Sequence, residues 1–385
     1  MLFHSYPLWA AILCFAAGAS AAPAIEHSDS SIAYVGTYTD GESKGIYAFH
    51  FNPQTGEMVP LGLAAETPNP SFLVLHPTDK YLYAVGFTGP ATGPRIGIIS
   101  AFAVDPVSSK LTLINQQSSR GSNPVRIIID NAGAHVLVAN YSTGSVAVLP
   151  VEADGRLDPV TAFQQHTGSG PNPNRPKSPH AHSITLDPSN HFAFACDLGI
   201  DKVMAYKFDA TSGALARHGS ISIVPRSGPR HLAFSPDGKF AYVISELVSR
   251  IKVYGYDPVE GKLTELQTVS TLSSDWKGKN KAAEVHVHPS GKFVYASNRG
   301  NDSIATFRRT PDGKLSLIGI TPCGGKTPRF FTLDSTGTWL FCAHQDSGTM
   351  AIFKIDQDTG LPRQTGLVKV PNPTCIVLRP ETAGQ

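Results

Sequence analysis

Short apolar runs alternate with polar turns along most of the chain. In "SGPRHLAFSPDGKFAYVISEL", residues 227–247, the runs "HLAFS" and "FAYVIS" flank the turn "PDGK". Proline fixes one backbone angle of such a turn, and glycine tolerates a positive φ. Two runs of this length on either side of such a turn predict an antiparallel β-hairpin.

This hairpin pattern recurs along the chain. Related copies begin at Asn69, Asn123, Ser178, Ala282 and Thr327, and a truncated copy begins at Asn372. Their turns are 45 to 57 residues apart. Each copy continues with a third and a fourth apolar run, such as "SRIKVYGYD" and "LTELQTV". All-strand repeats of this length predict an all-β fold, a seven-bladed β-propeller with four antiparallel strands per blade.

The seventh blade is split between the two ends of the repeat region. Six full copies cover residues 69–366, and "NPTCIVLRP" (372–380) supplies one further strand. The segment 31–64 supplies the other three strands. A blade shared in this way closes the ring and leaves no unpaired sheet edge. We therefore expect one propeller domain over residues 31–380.

The N-terminal segment has a different composition. Residues 1–25 contain no Lys, Arg, Asp or Glu, and an apolar stretch leads to Ala19-Ser20-Ala21. This pattern predicts a secretory signal peptide over residues 1–21, with an uncleaved anchor as the alternative. The mature chain would then be secreted or periplasmic and have no membrane span. Its four cysteines, which contain no C-x-x-C motif, could form one disulfide, although Cys196 and Cys342 fit buried thiols.

Composition limits the possible partners. The chain has 385 residues, 41% of them hydrophobic, and a net charge of +2, which is typical of a soluble globular protein. Such a balance gives no reason to expect a nucleic-acid or membrane-surface partner. We expect a monomer that binds a small molecule.

Hairpin geometry brings candidate functional residues to one rim. Arg230 and Glu246 are equidistant from Gly238 in the turn, so folding the hairpin brings them to the same end. The same construction pairs Arg126 with Asn140, His182 with Asp197, Glu284 with Arg299, and Arg329 with His344. Since first strands line the channel of a propeller, these side chains are expected to ring one mouth. His231 and His286 complete the candidate binding set.

Three long connections, residues 87–97, 164–179 and 271–281, fall on the same face as this ring. Long loops clustered on one face usually carry a functional site.

The residue types favour an anionic ligand. Arginine binds carboxylate or phosphate through two parallel hydrogen bonds, so Arg230 and Arg299 could hold such a group. Glu246 could serve as a base, and His182 could carry a proton near neutral pH. The structural alternative is a set of salt bridges among these arginines and glutamates without a ligand.

Other catalytic chemistries have weaker support. A metal site could use His180 with His182, or His286 with His288, but H-E-x-x-H is absent. No G-x-S-x-G motif indicates a nucleophilic serine. We expect neither a metal nor a cofactor.

"GPRHLAFSPDGKFAYVISEL", "SPHAHSITLDPSNHFAFACD", "AAEVHVHPSGKFVYASNRG" and the early "AYVGTYT" resemble the lactonase family of seven-bladed propellers. This family includes bacterial propeller-type 6-phosphogluconolactonase and fungal carboxy-cis,cis-muconate cyclase. The resemblance implies a catalytic set of His182, Arg230, Glu246 and Arg299.

The resemblance to the lactonase family also implies hydrolysis of a small, anionic lactone at the channel mouth. One alternative is a lactonising cycloisomerase that acts on a muconate, and the other is a non-catalytic extracellular binding propeller. Export would favour an unphosphorylated sugar or aromatic-derived lactone over a cytosolic phosphorylated one.

Overall fold

The computed structural model describes residues 1–2, 31–89, 95–170 and 178–380. In these residues 28 β-strands form seven four-stranded sheets, and no helix is present. The prediction of an all-β, seven-bladed propeller is therefore confirmed. Residues 3–21 of the predicted signal peptide and parts of two long connections, residues 90–94 and 171–177, lie outside the described residues. No helix in the described ranges could cross a membrane.

The blades are numbered in chain order. Blade I contains β1 (Ser31–Thr37), β2 (Gly45–Asn52), β3 (Glu57–Glu66) and the last strand, β28 (Pro373–Pro380). Blade II contains β4 (Phe72–Leu75), β5 (Tyr81–Thr88), β6 (Ile96–Val104) and β7 (Leu111–Ser118). Blade III contains β8 (Pro124–Ile129), β9 (His135–Asn140), β10 (Ser145–Pro150) and β11 (Ala162–Gln165). Blade IV contains β12 (Ala181–Leu186), β13 (Phe192–Asp197), β14 (Lys202–Asp209) and β15 (Ala214–Ser222).

The remaining three blades follow the same plan. Blade V contains β16 (Pro229–Phe234), β17 (Phe240–Ser245), β18 (Arg250–Asp257) and β19 (Lys262–Ser270). Blade VI contains β20 (Lys281–Val287), β21 (Phe293–Arg299), β22 (Ser303–Arg309) and β23 (Leu315–Pro322). Blade VII contains β24 (Pro328–Leu333), β25 (Trp339–His344), β26 (Thr349–Ile355) and β27 (Pro362–Lys369).

One strand of each blade lines the central channel. These inner strands are β28, β4, β8, β12, β16, β20 and β24, and each contacts the inner strands of both neighbouring blades. The inner strands therefore form a closed ring, as expected from the repeat.

The last strand closes that ring. β28 pairs antiparallel with β1 over its whole length, with Val35 opposite Ile376. The split blade predicted from the sequence is present, and it joins the two ends of the propeller by backbone hydrogen bonds.

Burial follows the position of each strand within its blade. Every residue of β9, β13 and β25 is buried, because these second strands lie between other strands and neighbouring blades. The outermost strands, such as β15 and β19, expose most of their residues. The apolar core therefore lies between the blades.

Aromatic side chains join several blades to the next on the face opposite the predicted site. Tyr83, Tyr242 and Tyr295 donate hydroxyl hydrogen bonds to Gly155, Gly313 and Gly360 carbonyls, at 3.1, 3.1 and 2.8 Å. Between blades VII and I, Trp339 Nε1 donates instead to Pro53 O at 3.0 Å.

The turn glycines allow this close approach of neighbouring blades. Gly360 has a φ of +78°, and a Cβ there would lie 2.4 Å from a ring carbon of Phe293. Glycine is therefore needed at this turn both for its backbone conformation and for the space beside the ring.

Ending the chain at Pro371 should prevent cooperative folding. This truncation removes β28, including Cys375 and Ile376, which are at most 1% exposed in the core, and it uncovers the edge of β1. We expect loss of a single thermal unfolding transition by circular dichroism and association on size exclusion. A chain ending at Pro380, which retains all strands, is the control, and an unchanged melting temperature in the shorter chain would contradict the expectation.

Candidate active site at the channel mouth

A β-bulge interrupts the inner strands near the mouth of the channel. In β12, β16 and β24 the register with the second strand skips His182, Arg230 and Arg329. The same irregularity occurs at Val125 in β8 and at Thr374 in β28. A bulge re-aims the unpaired side chain, so the same position of several blades turns towards the channel.

The re-aimed side chains surround a small cavity at the mouth. Its walls are formed by Tyr38, Ser71, Phe72, Val125, His182, Arg230, His231, Arg329, Phe330 and Thr374. The free space is about 10 Å³, which admits roughly one water molecule. The cavity can therefore hold a water molecule but not a sugar ring.

Glu246 joins two of the arginines. Its Oε2 lies 3.2 Å from Arg230 Nε and 2.9 Å from Arg299 NH2. Arg230 also donates from NH1 to Ala283 O at 2.6 Å. Arg230 and Glu246 are buried, so the ion pair compensates charges that water cannot reach.

A second carboxylate lies one layer deeper and bridges the channel. Glu284 of blade VI is 2.7 Å from His231 Nδ1 and 3.4 Å from Arg126 NH1 of blade III. Arg126 also lies over the ring of Phe72, 4.3 Å from its centroid. Because blades III and VI face each other across the ring, this ion pair forms the floor of the mouth.

These contacts differ from the hairpin pairing predicted for blade VI. Arg299 lies opposite Lys281 rather than Glu284, and β20 places Ala283 and Glu284 in a bulge. Arg299 therefore pairs with Glu246 of blade V. The prediction that Arg230 and Glu246 become neighbours corresponds to the observed ion pair, although Arg230 itself lies in a bulge.

The mouth carries a surplus of positive charge. Arg126, Arg230, Arg299 and Arg329 contribute four positive charges, and Glu246 and Glu284 contribute two negative charges, so two positive charges remain uncompensated within this set. Burial, followed by the nearby arginines Arg299 and Arg329, lowers the pKa of Arg230 to about 9.

The histidines do not add to this charge at neutral pH. Burial and the neighbouring Arg230 hold the pKa of both His182 and His231 well below the ordinary value. Burial also lowers the pKa of His286, which lies deeper on β20 with its Nε2 4.0 Å from Glu284. The imidazoles are therefore neutral, and proton acceptance by them is possible.

A larger cleft adjoins Arg299 at the rim. It has a volume of about 570 Å³ and is lined by Leu247, Lys279, Asn280, Lys281, Arg299, Gly300 and Thr327. This volume is in the range of small-molecule sites. The lysines were not among the predicted site residues, although the sequence did single out their loop, residues 271–281.

Arg329 occupies the predicted mouth, where its NH2 donates to the Tyr38 hydroxyl at 3.0 Å. Tyr38 was also missed by the sequence analysis, because it follows β1 in the split blade rather than lying in a hairpin copy.

Three of the predicted binding residues differ from the prediction because they do not line the cavity. They are Asn140, Asp197 and His344. Each contacts the residue that follows the outer strand of the preceding blade, and we call these contacts inter-blade latches. Asn140 Nδ2 donates to Ser119 O at 3.1 Å, and Asp197 lies 2.6 Å from His166 Nδ1. His344 contacts Cys323.

The physical reason is side-chain direction. Hairpin symmetry identifies which rim a residue reaches, but the last residue of a second strand points between blades and not into the channel. Asp197 further accepts backbone hydrogen bonds from His180, Gly199 and Ile200, which occupies its carboxylate structurally. A binding role for these three residues has no geometric support.

No cluster of metal-ligating side chains in the described ranges supports the alternative of a metal site. There, no group of three or more His, Cys, Asp or Glu side chains could hold a metal ion. His180 binds Tyr141 O at 2.9 Å, and His288 binds Gly337 O at 2.8 Å in the distal turn. The four cysteines after residue 30 are free and buried.

Comparison with known proteins identifies relatives over the whole propeller. Residues 32–378 match the family model described as lactonase, 7-bladed β-propeller. A 6-phosphogluconolactonase from Bacillus subtilis (strain 168) is 36% identical over 347 residues, covering 90% of this chain and 97% of the relative. The solved structure of a periplasmic gluconolactonase from Pseudomonas aeruginosa superimposes with a TM-score of 0.85 at 33% identity, covering 91% and 99% of the two chains.

Replacing His182 with Asn should weaken the acid sensitivity of folding. The folded-state pKa of His182 lies well below its ordinary value of 6.5, so the unfolded chain binds a proton that the folded protein excludes. The contribution of neutral His182 to the free energy of unfolding is therefore retained above pH 6.5 and is lost as the pH falls below 6.5. Between about pH 7 and pH 5, we expect the loss of unfolding free energy to be about 2 kcal/mol smaller in His182→Asn.

Chemical denaturation at the two pH values measures this difference. His218→Asn, which changes an exposed histidine, is the matched control and should retain the wild-type loss. An equal loss in His182→Asn and wild type would show that His182 is not held neutral by the fold.

Proposed function

The chain belongs to the lactonase family of seven-bladed β-propellers, and from this membership we propose that it hydrolyses a small anionic lactone at the mouth of its channel. Relatives named 6-phosphogluconolactonase and gluconolactonase support lactone hydrolysis in general. The anionic character of the substrate and the place of the reaction are our extension.

The surplus of positive charge at the mouth carries the proposal. The four arginines around the cavity and its floor exceed the two carboxylates that pair with them. Lys279 and Lys281 extend this charge into the adjoining cleft. A carboxylate or phosphate on the substrate would complete the charge balance, because charged hydrogen bonds are strongest where water is excluded.

The two spaces suit different parts of a hydrolysis reaction. The cleft of about 570 Å³ has room for a sugar lactone, whereas the cavity of about 10 Å³ has room for water alone. Arg299 lines the cleft and is linked to Arg230 of the cavity through Glu246. In this arrangement the guanidinium groups bind the anionic group and stabilise the oxyanion that develops when water attacks the carbonyl.

We also propose that the reaction needs no metal and that the protein acts after export as a monomer. The predicted leader supports export, and one relative is a periplasmic gluconolactonase. An exported enzyme would meet carboxylate-bearing or unphosphorylated sugar lactones more readily than cytosolic phosphorylated ones.

Base uptake in a pH-stat tests the activity of the mature chain. The panel contains gluconolactone, 6-phosphogluconolactone and a carboxylate-bearing sugar lactone, each with and without a chelator. We expect turnover of anionic lactones that survives chelation. Loss of muconate absorbance without base uptake would instead indicate the cycloisomerase, and no reaction with any compound would favour a binding propeller.

Replacing Arg299 with Gln should weaken binding of the anionic group. We expect kcat/KM for an anionic lactone to fall roughly 10- to 1,000-fold, mainly through KM, while the value for a neutral lactone changes less. Arg308→Gln is the matched control, since Arg308 is exposed and pairs with Phe293 at the other end of the same blade. Equal losses on neutral and anionic lactones would contradict an anion-binding role.

A further inference from the structure

We infer that His231 is the general base that activates the hydrolytic water, and that Glu284 is the residue that positions it. This inference rests on the proposed hydrolysis and assigns its proton acceptor.

The contact between His231 and Glu284 fixes the imidazole. Glu284 Oε1 lies 2.7 Å from His231 Nδ1, and both side chains are at most 3% exposed. A carboxylate at this distance accepts a hydrogen bond from Nδ1–H, so the proton stays on Nδ1 and Nε2 carries the lone pair. Glu284 is itself held by Arg126 NH1 at 3.4 Å and by the backbone N–H of Val285 at 3.1 Å.

Arg230 does not block this lone pair. Arg230 NH1 lies 3.4 Å from Nδ1 and 3.2 Å from Nε2 of His231. An atom nearly equidistant from both ring nitrogens lies over the face of the ring, whereas the lone pair lies in the ring plane. His231 also lines the water-sized cavity, so Nε2 is the nitrogen available to a water held there.

Glu246 is less suited to accept the proton. Its Oε2 contacts both Arg230 and Arg299, so protonating it would weaken two ion pairs in a buried site. Glu246 instead keeps the two guanidinium groups in place for the substrate.

His182 lacks the support that His231 has. Its Nδ1 has no hydrogen-bond partner among the described residues, and its ring packs edge-on against Tyr141 and His231 at 5.3 and 5.2 Å between centroids. Within the part of the chain that the structure describes, no carboxylate contact stabilises a proton on His182, whereas Glu284 would stabilise the imidazolium of His231. A base held by a third group is the arrangement common to activated nucleophiles.

The proton balance closes within the site. His231 Nε2 takes a proton from water as the water oxygen bonds to the lactone carbonyl carbon, and the carbonyl becomes an oxyanion. When the oxyanion collapses, the ring C–O bond breaks and Nε2 returns the proton to the leaving ring oxygen. The product is an open hydroxy acid, whose carboxyl group releases a proton to solvent, and His231 is neutral again.

Substrate charge assists this step. The guanidinium groups that surround His231 disfavour its protonation, and an anionic substrate among them offsets part of their field. Binding of the anion therefore makes His231 a better proton acceptor at the moment when water must be activated.

Replacing His231 with Asn tests the base directly. We expect kcat on the best lactone to fall about 10²- to 10⁴-fold with a smaller change in KM. His218→Asn, at an exposed histidine on β15, should keep wild-type kcat. If His231→Asn retains kcat while His182→Asn loses it, the assignment to His231 is overturned.

The positioning role of Glu284 has a separate signature in the pH profile. Glu284→Gln removes a negative charge beside His231, so we expect lower kcat and an acid limb of kcat/KM shifted to lower pH. Glu284→Asp should restore part of kcat, and Glu260→Gln, at an exposed glutamate, is the matched control. A lower kcat with an unchanged acid limb of kcat/KM would overturn the positioning role of Glu284. If Glu284→Gln does not fold, the same measurements are made on Glu284→Asp.

Nitrogen-15 NMR of the histidine rings gives a measurement independent of turnover. We expect the wild-type protein to show His231 neutral with its proton on Nδ1, and Glu284→Gln to lose that preference. A proton on Nε2 in the wild type would overturn the inference even if lactones are hydrolysed. Absence of wild-type turnover on every lactone would overturn the proposed function and the catalytic role together.

Discussion

Arg230 imposes the central constraint on this site. Its guanidinium is 2% exposed and stays charged, so the protein must surround it with acceptors. Glu246, the carbonyl of Ala283 and the face of His231 supply them, and each comes from a different part of blades V and VI. The other charged contacts follow from this need, because the partners of Arg230 require partners of their own.

The result is one connected chain of charges across the mouth. It runs from Arg299 through Glu246, Arg230, His231 and Glu284 to Arg126. Positive and negative groups alternate except at the neutral imidazole, which is the one link able to gain and lose a proton without breaking an ion pair. Ion pairs therefore hold the charged groups of the mouth in place, and the neutral imidazole of His231 lies between them.

Apolar residues occupy other parts of the same cavity wall. Phe72, Val125 and Phe330 line it beside the polar groups, and Arg126 lies over the Phe72 ring. Low-polarity walls strengthen every electrostatic interaction within the cavity, including those made to a developing oxyanion. The mouth thus combines surplus charge with poor access for water.

The sequence predicts the architecture more completely than the side-chain directions. Seven blades and their split closure follow from the repeat, because each copy contains its own turns and apolar runs. Hairpin symmetry also places Arg230 near Glu246 at one rim. The same symmetry misplaces Asn140, since spacing does not distinguish a side chain that faces the channel from one that lies between blades.

Bulges are the second source of error. One extra residue in β20 shifts the register of that strand so that Arg299 lies opposite Lys281, and the sequence of the strand does not predict this bulge. The cross-channel contact of Glu284 with Arg126 joins residues 158 positions apart in the chain, which no local pattern specifies.

The split blade determines when the wall of the mouth cavity is completed during synthesis of the chain. Thr374, on the last strand, and Tyr38, just after the first, stand in the same cavity wall. A ribosome makes these two residues at the beginning and near the end of translation of the propeller. The wall of this cavity is therefore incomplete while the polypeptide is still being synthesised, and the cavity forms only once the last strand has closed the ring.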